Sequence, residues 1–228
     1  MKRIIVLLSV VLFGLSVFAQ DCETYIPTTV GTKVSTQHFN KKDKLTSTVK
    51  TEVKSVEMID GKQKVVITTE SFDTDDIGSG VRELIYYCNG DVFEVDTKSM
   101  LNQDQMGAYE SMKIEYTFEN LQYPPKMTEG MSLTDGFVEA VVMNEGIKMV
   151  TMRVDIKDSK VEALESITVP AGTYDAAKIN QTIVSKTGFM TIQIQSIQWM
   201  VSGIGAVRTE SYNKKGKLMG YSVISSIE

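Results

Sequence analysis

Met152-Arg153-Val154-Asp155-Ile156-Lys157 sets an apolar side chain against a charged one at every step. Successive side chains of an extended strand point to opposite faces, so this stretch reads as a strand with one buried face and one wet face. The same period of two recurs in Met190-Thr191-Ile192-Gln193-Ile194-Gln195, apolar against polar. In Val49-Lys50-Thr51-Glu52-Val53-Lys54-Ser55, charged residues alternate with apolar or small ones. Turn chemistry separates such runs at Asp60-Gly61, Asn89-Gly90, Glu145-Gly146, Ala171-Gly172 and Lys215-Gly216. About a dozen strands at a spacing of roughly 10–15 residues predict an antiparallel meander, sandwich or barrel rather than βαβ units.

One region departs from this period. Between Ser99 and Met112 the alternation stops, and Met100, Leu101, Met106, Tyr109 and Met112 share one broad helical face interrupted by Gly107. The expected architecture is therefore all-β with one short helix. Tyr123-Pro124-Pro125 then forces an extended connector, read as a crossover inside one domain. Pro170 ends a strand, and Gly203 and Gly205 fit a bulge or bend that curls the sheet. A short internal echo links His38-Phe39-Asn40-Lys41-Lys42-Asp43-Lys44-Leu45 to Ser211-Tyr212-Asn213-Lys214-Lys215-Gly216-Lys217-Leu218. Both read as hairpins, each with an aromatic residue closing its first strand.

At the N-terminus, Lys2 and Arg3 precede an uncharged, mostly apolar run from Ile4 to Phe18, followed by small Ala19 and polar Gln20-Asp21. That order is the one of a secretory leader, and 15 residues fall short of a bilayer span. The expectation is a signal peptide over 1–19, a single antiparallel β domain over 20–228 without a transmembrane segment, and export to the periplasm or the outer membrane. The chain holds 24 basic and 29 acidic residues; the leader takes two basic ones and no acid, leaving 22 against 29, or −7. An acidic chain without a Lys/Arg cluster in its sequence binds polyanions poorly, so neither nucleic acid nor electrostatic adhesion to anionic lipid is expected.

Cys22 and Cys88 both follow the leader. An even count in an oxidising compartment favours one disulfide, stabilising by roughly 4 kcal/mol in the chain-entropy model. Two readings compete with it: two unpaired thiols, and lipidation of Cys22, which wants small residues just before the cysteine, where Gln20-Asp21 stand.

The chemistry of catalysis is thinly represented. His38 is the single histidine, no Gly-x-Ser-x-Gly stretch exists, and His/Cys zinc ligands are lacking. Asp73-Thr74-Asp75-Asp76-Ile77-Gly78 begins like a calcium loop but fails at position five, Ile77, and at position twelve, Leu84. Glu162, Glu165 and Asp175 are carboxylates whose spacing does not mark an acid–base pair. The expectation is accordingly a non-enzyme without catalytic residues, metal or cofactor. Methionine is the unusual resource, since its flexible thioether adapts to varied apolar partners. Met100, Met106, Met112, Met152 and Met190, with the sole tryptophan Trp199, are the candidate ligand-binding residues.

Glu165-Ser166-Ile167-Thr168-Val169-Pro170-Ala171-Gly172-Thr173-Tyr174-Asp175, followed by Trp199-Met200-Val201-Ser202-Gly203-Ile204-Gly205-Ala206-Val207-Arg208-Thr209-Glu210, resembles the TapB-like exported proteins of Bacteroidetes, secreted β domains of unknown function. The resemblance implies export and carries no catalytic residue. The curved sheet is similar to the half-barrel of periplasmic lipoprotein carriers, a likeness of fold alone. The functional expectation is an envelope protein holding a hydrophobic or lipid-like ligand; the alternative is an envelope protein–protein interaction or structural module.

Overall fold

The computed structural model of the chain describes residues 23–101, 106–109 and 111–228. The leader expected over 1–19 and Cys22 lie outside the described residues. Thirteen strands form one antiparallel sheet: β1 Lys33–Asn40, β2 Leu45–Ile59, β3 Lys62–Phe72, β4 Gly78–Asn89, β5 Val92–Val95, β6 Lys113–Glu119, β7 Leu121–Tyr123, β8 Gly136–Asn144, β9 Ile147–Val169, β10 Gly172–Thr187, β11 Met190–Val201, β12 Gly205–Asn213 and β13 Leu218–Ile227. All five turn dipeptides of the sequence close hairpins or strand connections. Asp60-Gly61 and Glu145-Gly146 take positive φ at both residues (51° and 78°, 48° and 81°), the combination that matches strand twist in two-residue hairpins.

The sheet order is β6-β8-β9-β10-β11-β12-β13-β1-β2-β3-β4-β5-β7. Its two ends, β6 and β7, are consecutive in the chain with only Asn120 between them. One extended segment thus pairs first with β8, ending at Glu119 opposite Phe137, and then with β5, beginning at Leu121 opposite Val95. The expected curved sheet is present, and this partner exchange takes it beyond a half-barrel to a nearly closed barrel.

Thr97 fastens the seam. Its hydroxyl lies 3.1 Å from the Phe137 carbonyl and 3.3 Å from that of Glu119, and its amide donates to Asn120 Oδ1 at 3.3 Å. Gly136 lets β8 approach the joint, because a Cβ there would stand 2.9 Å from the Leu121 side chain.

Of the helix expected between Ser99 and Met112, the described residues hold a 3-10 turn over Thr97–Met100, capped by Asp96, and a helical pair at 106–107. Residues 102–105 and 110 lie outside the described residues. The 3-10 turn touches β4, β6 and β8, so this segment fills the space between the open upper edges.

Three apolar clusters hold the fold. Tyr25, Val65, Phe93, Tyr123, Ile156, Ile179 and Met200 belong to the one inside the barrel. A second lies outside β11–β13, under the end of the β9–β10 hairpin, where Val169, Ala176 and Tyr174 meet Trp199, Val207 and Val223. The hairpin is tied down by the Ala171 amide, which donates to the Ile224 carbonyl at 3.3 Å. In the third, Met106, Tyr109 and Met112 pack on Val138, Ala140, Val142 and Met152.

Candidate functional site

Inside the barrel lies a partly open cavity of about 300 Å³ bordered by residues of β1–β5, β7 and β9–β13. Its floor comes from the chain's own N-terminal segment. Tyr25 donates its hydroxyl to the Pro124 carbonyl at 3.0 Å, and its ring meets Phe93 and Tyr123 at centroid distances of 6.0 and 5.8 Å. Tyr86 stacks on Phe93 at 5.6 Å. The Gly203 amide donates to the Thr24 carbonyl at 2.7 Å, and Gly205, at φ +111°, lets the Tyr25 carbonyl come within 3.2 Å of where a Cβ would stand. The Gly203/Gly205 bend is therefore shaped to receive the N-terminal segment that plugs this end.

Above the floor, Ile156, Ile183 and Met200 continue the apolar lining, with Gln181 and Gln198 interspersed on the same strands and Thr36 and Thr51 added from β1 and β2. Gln181 is buried and accepts a long 3.4 Å hydrogen bond from Ser159. Two charged or titratable side chains lie beyond the lining residues. His38 lies two residues beyond Thr36 on the same face of β1, and burial lowers its pKa from the usual 6.5. Arg82 lies two residues beyond Leu84 on β4, and its Nε is buried without a hydrogen-bond partner. At the apolar end, burial pushes Tyr25, Tyr86 and Tyr123 up to about 12, with the Glu23 charge adding to the shift on Tyr25. The cavity lining thus mixes apolar and polar groups.

The sequence-selected residues do not gather at this site. Met100 borders the cavity, whereas Met106, Met112 and Met152 belong to the third cluster. Met190 is exposed next to the β10–β11 turn. Trp199 sits in the second cluster outside the barrel, with its Nε1 donating to Glu165 at 2.7 Å and Lys178 and Arg208 over its ring. Strand parity explains the last case: Trp199 and Met200 are neighbours on opposite faces, and the cavity takes Met200. Cys88 is buried on β4 opposite Phe93; its expected partner, Cys22, lies outside the described residues.

Of the carboxylates singled out from the sequence, Glu162, Glu165 and Asp73 are engaged elsewhere, and Asp175 lies with Glu165 at the edge of an outer hollow near Tyr25. Glu162 accepts from Asn180 at 2.7 Å and pairs with Lys178 at 3.5 Å, while Glu165 holds Trp199. Asp73 folds its own loop, accepting from the amides of Asp75 and Ile77 at 2.9 Å each. Among the described residues no group of three or more His, Cys, Asp or Glu side chains is arranged to hold a metal ion. A wider hollow of about 400 Å³ runs along β1–β4, where Lys33 and Glu52 pair across charged rims, so it offers a wet surface rather than a container.

Residues 29–224 match the DUF3108-like family. The chain belongs to that family. A protein of Parabacteroides distasonis, provisionally described as a lipoprotein, superposes with a TM-score of 0.73 at 25% identity, covering 92% of this chain and 100% of its own. A provisionally described exported protein of Bacteroides fragilis with a YmcC-like fold superposes with a TM-score of 0.70 at 19% identity, covering 91% and 100%. No curated protein matches the chain. The likeness to β proteins of this bacterial group therefore stands at the level of the DUF3108-like family; the narrower TapB-like name is not carried by these matches.

Among the described residues no helix is long and apolar enough to cross a membrane. The outward face of β8–β10 carries Glu139, Arg153, Asp155, Glu162 and Lys178 in ion pairs, a face that would be costly against lipid tails.

Proposed function

We propose that this is an exported, non-catalytic envelope protein whose barrel holds a hydrophobic, lipid-like molecule. The observation that carries the reading is a cavity inside the barrel whose lining sets apolar walls beside a few polar groups, the general character of small-molecule sites. An acyl chain would lie against Phe93, Tyr123, Ile156 and Met200, with its acidic head toward Gln181, Gln198 and the unpartnered Arg82. Export is supported by the leader and by the exported description of the Bacteroides fragilis neighbour. A Cys22–Cys88 disulfide would fix the plug, since Tyr25, three residues after Cys22, already touches Phe93 opposite Cys88.

Native mass spectrometry of gently purified protein, with uptake of a fluorescent fatty acid, tests the reading. The expected result is an added lipid-range mass and saturable uptake that Ala206→Phe, which fills the cavity, abolishes. Bare polypeptide mass together with no uptake overturns it. The second reading, a protein-binding module, has its own observation: β6 ends the sheet with Tyr116 and Phe118 exposed, a strand edge open to augmentation. Crosslinking in envelope extracts that traps one dominant protein through β6 would favour it.

A further inference from the structure

We propose that the barrel end opposite the Tyr25 plug docks onto an anionic lipid surface. The antiparallel order places the turns of β1–β2, β8–β9, β10–β11 and β12–β13 at that one end. Two turns neighbouring in the sheet present bare apolar side chains: Ile147 (68% exposed) and Met149 at β8–β9, and Phe189 (101% exposed), Met190 and Ile192 at β10–β11. The β10–β11 hairpin also runs past its neighbour, because its pairing with β12 begins only at Ile194 opposite Asn213. Fully exposed large side chains on a projecting tip gain nothing from the fold, and together they form a patch of the kind that marks a docking face.

The next two turns are basic. Lys41, Lys42 and Lys44 at β1–β2 stand beside Lys214, Lys215 and Lys217 at β12–β13, because β1 and β13 pair through Asn40 opposite Gly220. All six lysines are exposed, and among the described residues none is ion-paired. Asp43, the acid within these two turns, accepts a hydrogen bond from Tyr221 at 3.0 Å. The short sequence echo is thus a spatial one. It builds the cationic cluster that the linear sequence lacks, and that cluster is the ground for proposing anionic lipid as a partner.

Apolar tips beside unpaired lysines suit a surface with acyl chains beneath negative headgroups: the tips enter the interface while the lysines stay at the headgroups. Lys148 and Lys186 flank the apolar tips, and exposed Glu145 of the β8–β9 turn offsets one of these two charges. The acidic Asp73–Ile77 turn lies at the far end of the rim, beyond β1–β2, and bounds the footprint. The proposal does not depend on what fills the cavity.

The test is co-sedimentation of the processed protein with phosphatidylethanolamine/phosphatidylglycerol vesicles and with phosphatidylcholine vesicles. Binding to the anionic vesicles is expected, weakening as salt is raised. Lys214→Glu with Lys215→Glu should weaken it more than tenfold, at roughly fivefold for each positive charge lost. Phe189→Ser should weaken it roughly tenfold, and Lys126→Glu at the opposite end should leave it unchanged. Unaltered circular dichroism would confirm that the variants fold. Absence of binding to anionic vesicles, or binding indifferent to both rim variants, overturns the proposal. So does an envelope protein captured through Phe189 while the vesicles stay bare. Fatty-acid uptake retained in a rim variant that no longer binds vesicles separates this proposal from the cavity reading.

Discussion

Thr97→Val probes whether the barrel is closed by chemistry or only by proximity. The Thr97 side chain is almost fully buried, 1% exposed, between the last residues of β6 and the first of β8. Valine keeps its shape and removes the hydroxyl that faces the Phe137 carbonyl at 3.1 Å and the Glu119 carbonyl at 3.3 Å. One hydroxyl proton serves one acceptor at a time, so the loss is one hydrogen bond plus a buried carbonyl without its donor. That costs about 1–3 kcal/mol, and for a domain of this size about 2 kcal/mol lowers Tm by roughly 4–8 °C. Urea unfolding followed by Trp199 fluorescence measures it, with an unchanged m-value showing that the native barrel still buries the same surface. A variant as stable as the parent would refute the argument, because the seam carbonyls would then be satisfied without Thr97.

Three further outcomes follow from the plug and the mouth. Gly205→Ala forces a side chain into φ +111° and a Cβ to 3.2 Å from the Tyr25 carbonyl; we expect a loss of about 1–3 kcal/mol, read by thermal unfolding, with faster proteolysis before Tyr25. With Tyr25, Tyr86 and Tyr123 held at about 12 against an ordinary 10, the unfolded chain ionises first. Stability is therefore expected to fall as pH rises from about 10 towards 12, and a tyrosine absorbance titration should show delayed groups that Tyr25→Phe and Tyr123→Phe reduce in number. Burial sets His38 below 6.5 when folded, so the unfolded state takes up its proton first as the medium acidifies. Stability at His38 is lost as pH drops below 6.5 through the folded value, and His38→Asn should remove that part of the pH profile in urea titrations.

What could be read in advance was set by local rules. Met152–Lys157 and Met190–Gln195 alternate because their strands each have an inner and an outer face, and both are strands here. Asp60-Gly61 and Glu145-Gly146 reverse the chain because their φ values demand it. The site was harder to see because it depends on parity and register between distant strands. Nothing local distinguishes Met200 from Trp199, yet one faces the cavity and the other the outer cluster. Tyr25 carries no local signal, and its role appears only once Gly203 and Gly205 bend β11 and β12 around it. The available signal was the pairing of an aromatic N-terminal segment with two closely spaced glycines far downstream. The methionines were hard to place for a related reason: a shared helical face from Met100 to Met112 does not say what each covers, and Met106 and Met112 pack on β8 and β9 while Met100 borders the cavity.

Closure by partner exchange has a consequence for what the interior can be. A sheet whose ends are β6 and β7 of one continuous segment need not bury its inner face against a second layer, since the walls oppose one another across the barrel. Large side chains at the floor, Phe93, Tyr123 and Tyr25, meet one another and fill that end. Higher up, Thr36, Thr51, Gln181 and Gln198 stand among apolar Ile156 and Ile183, and a cavity remains between the walls. Hydrophobic packing alone would not retain buried Gln181 with one weak partner, because an amide removed from water costs more than a long hydrogen bond returns. A molecule whose polar end reaches that amide and the Arg82 guanidinium would satisfy both, and the polarity of the wall is then explained by the occupant rather than by the fold.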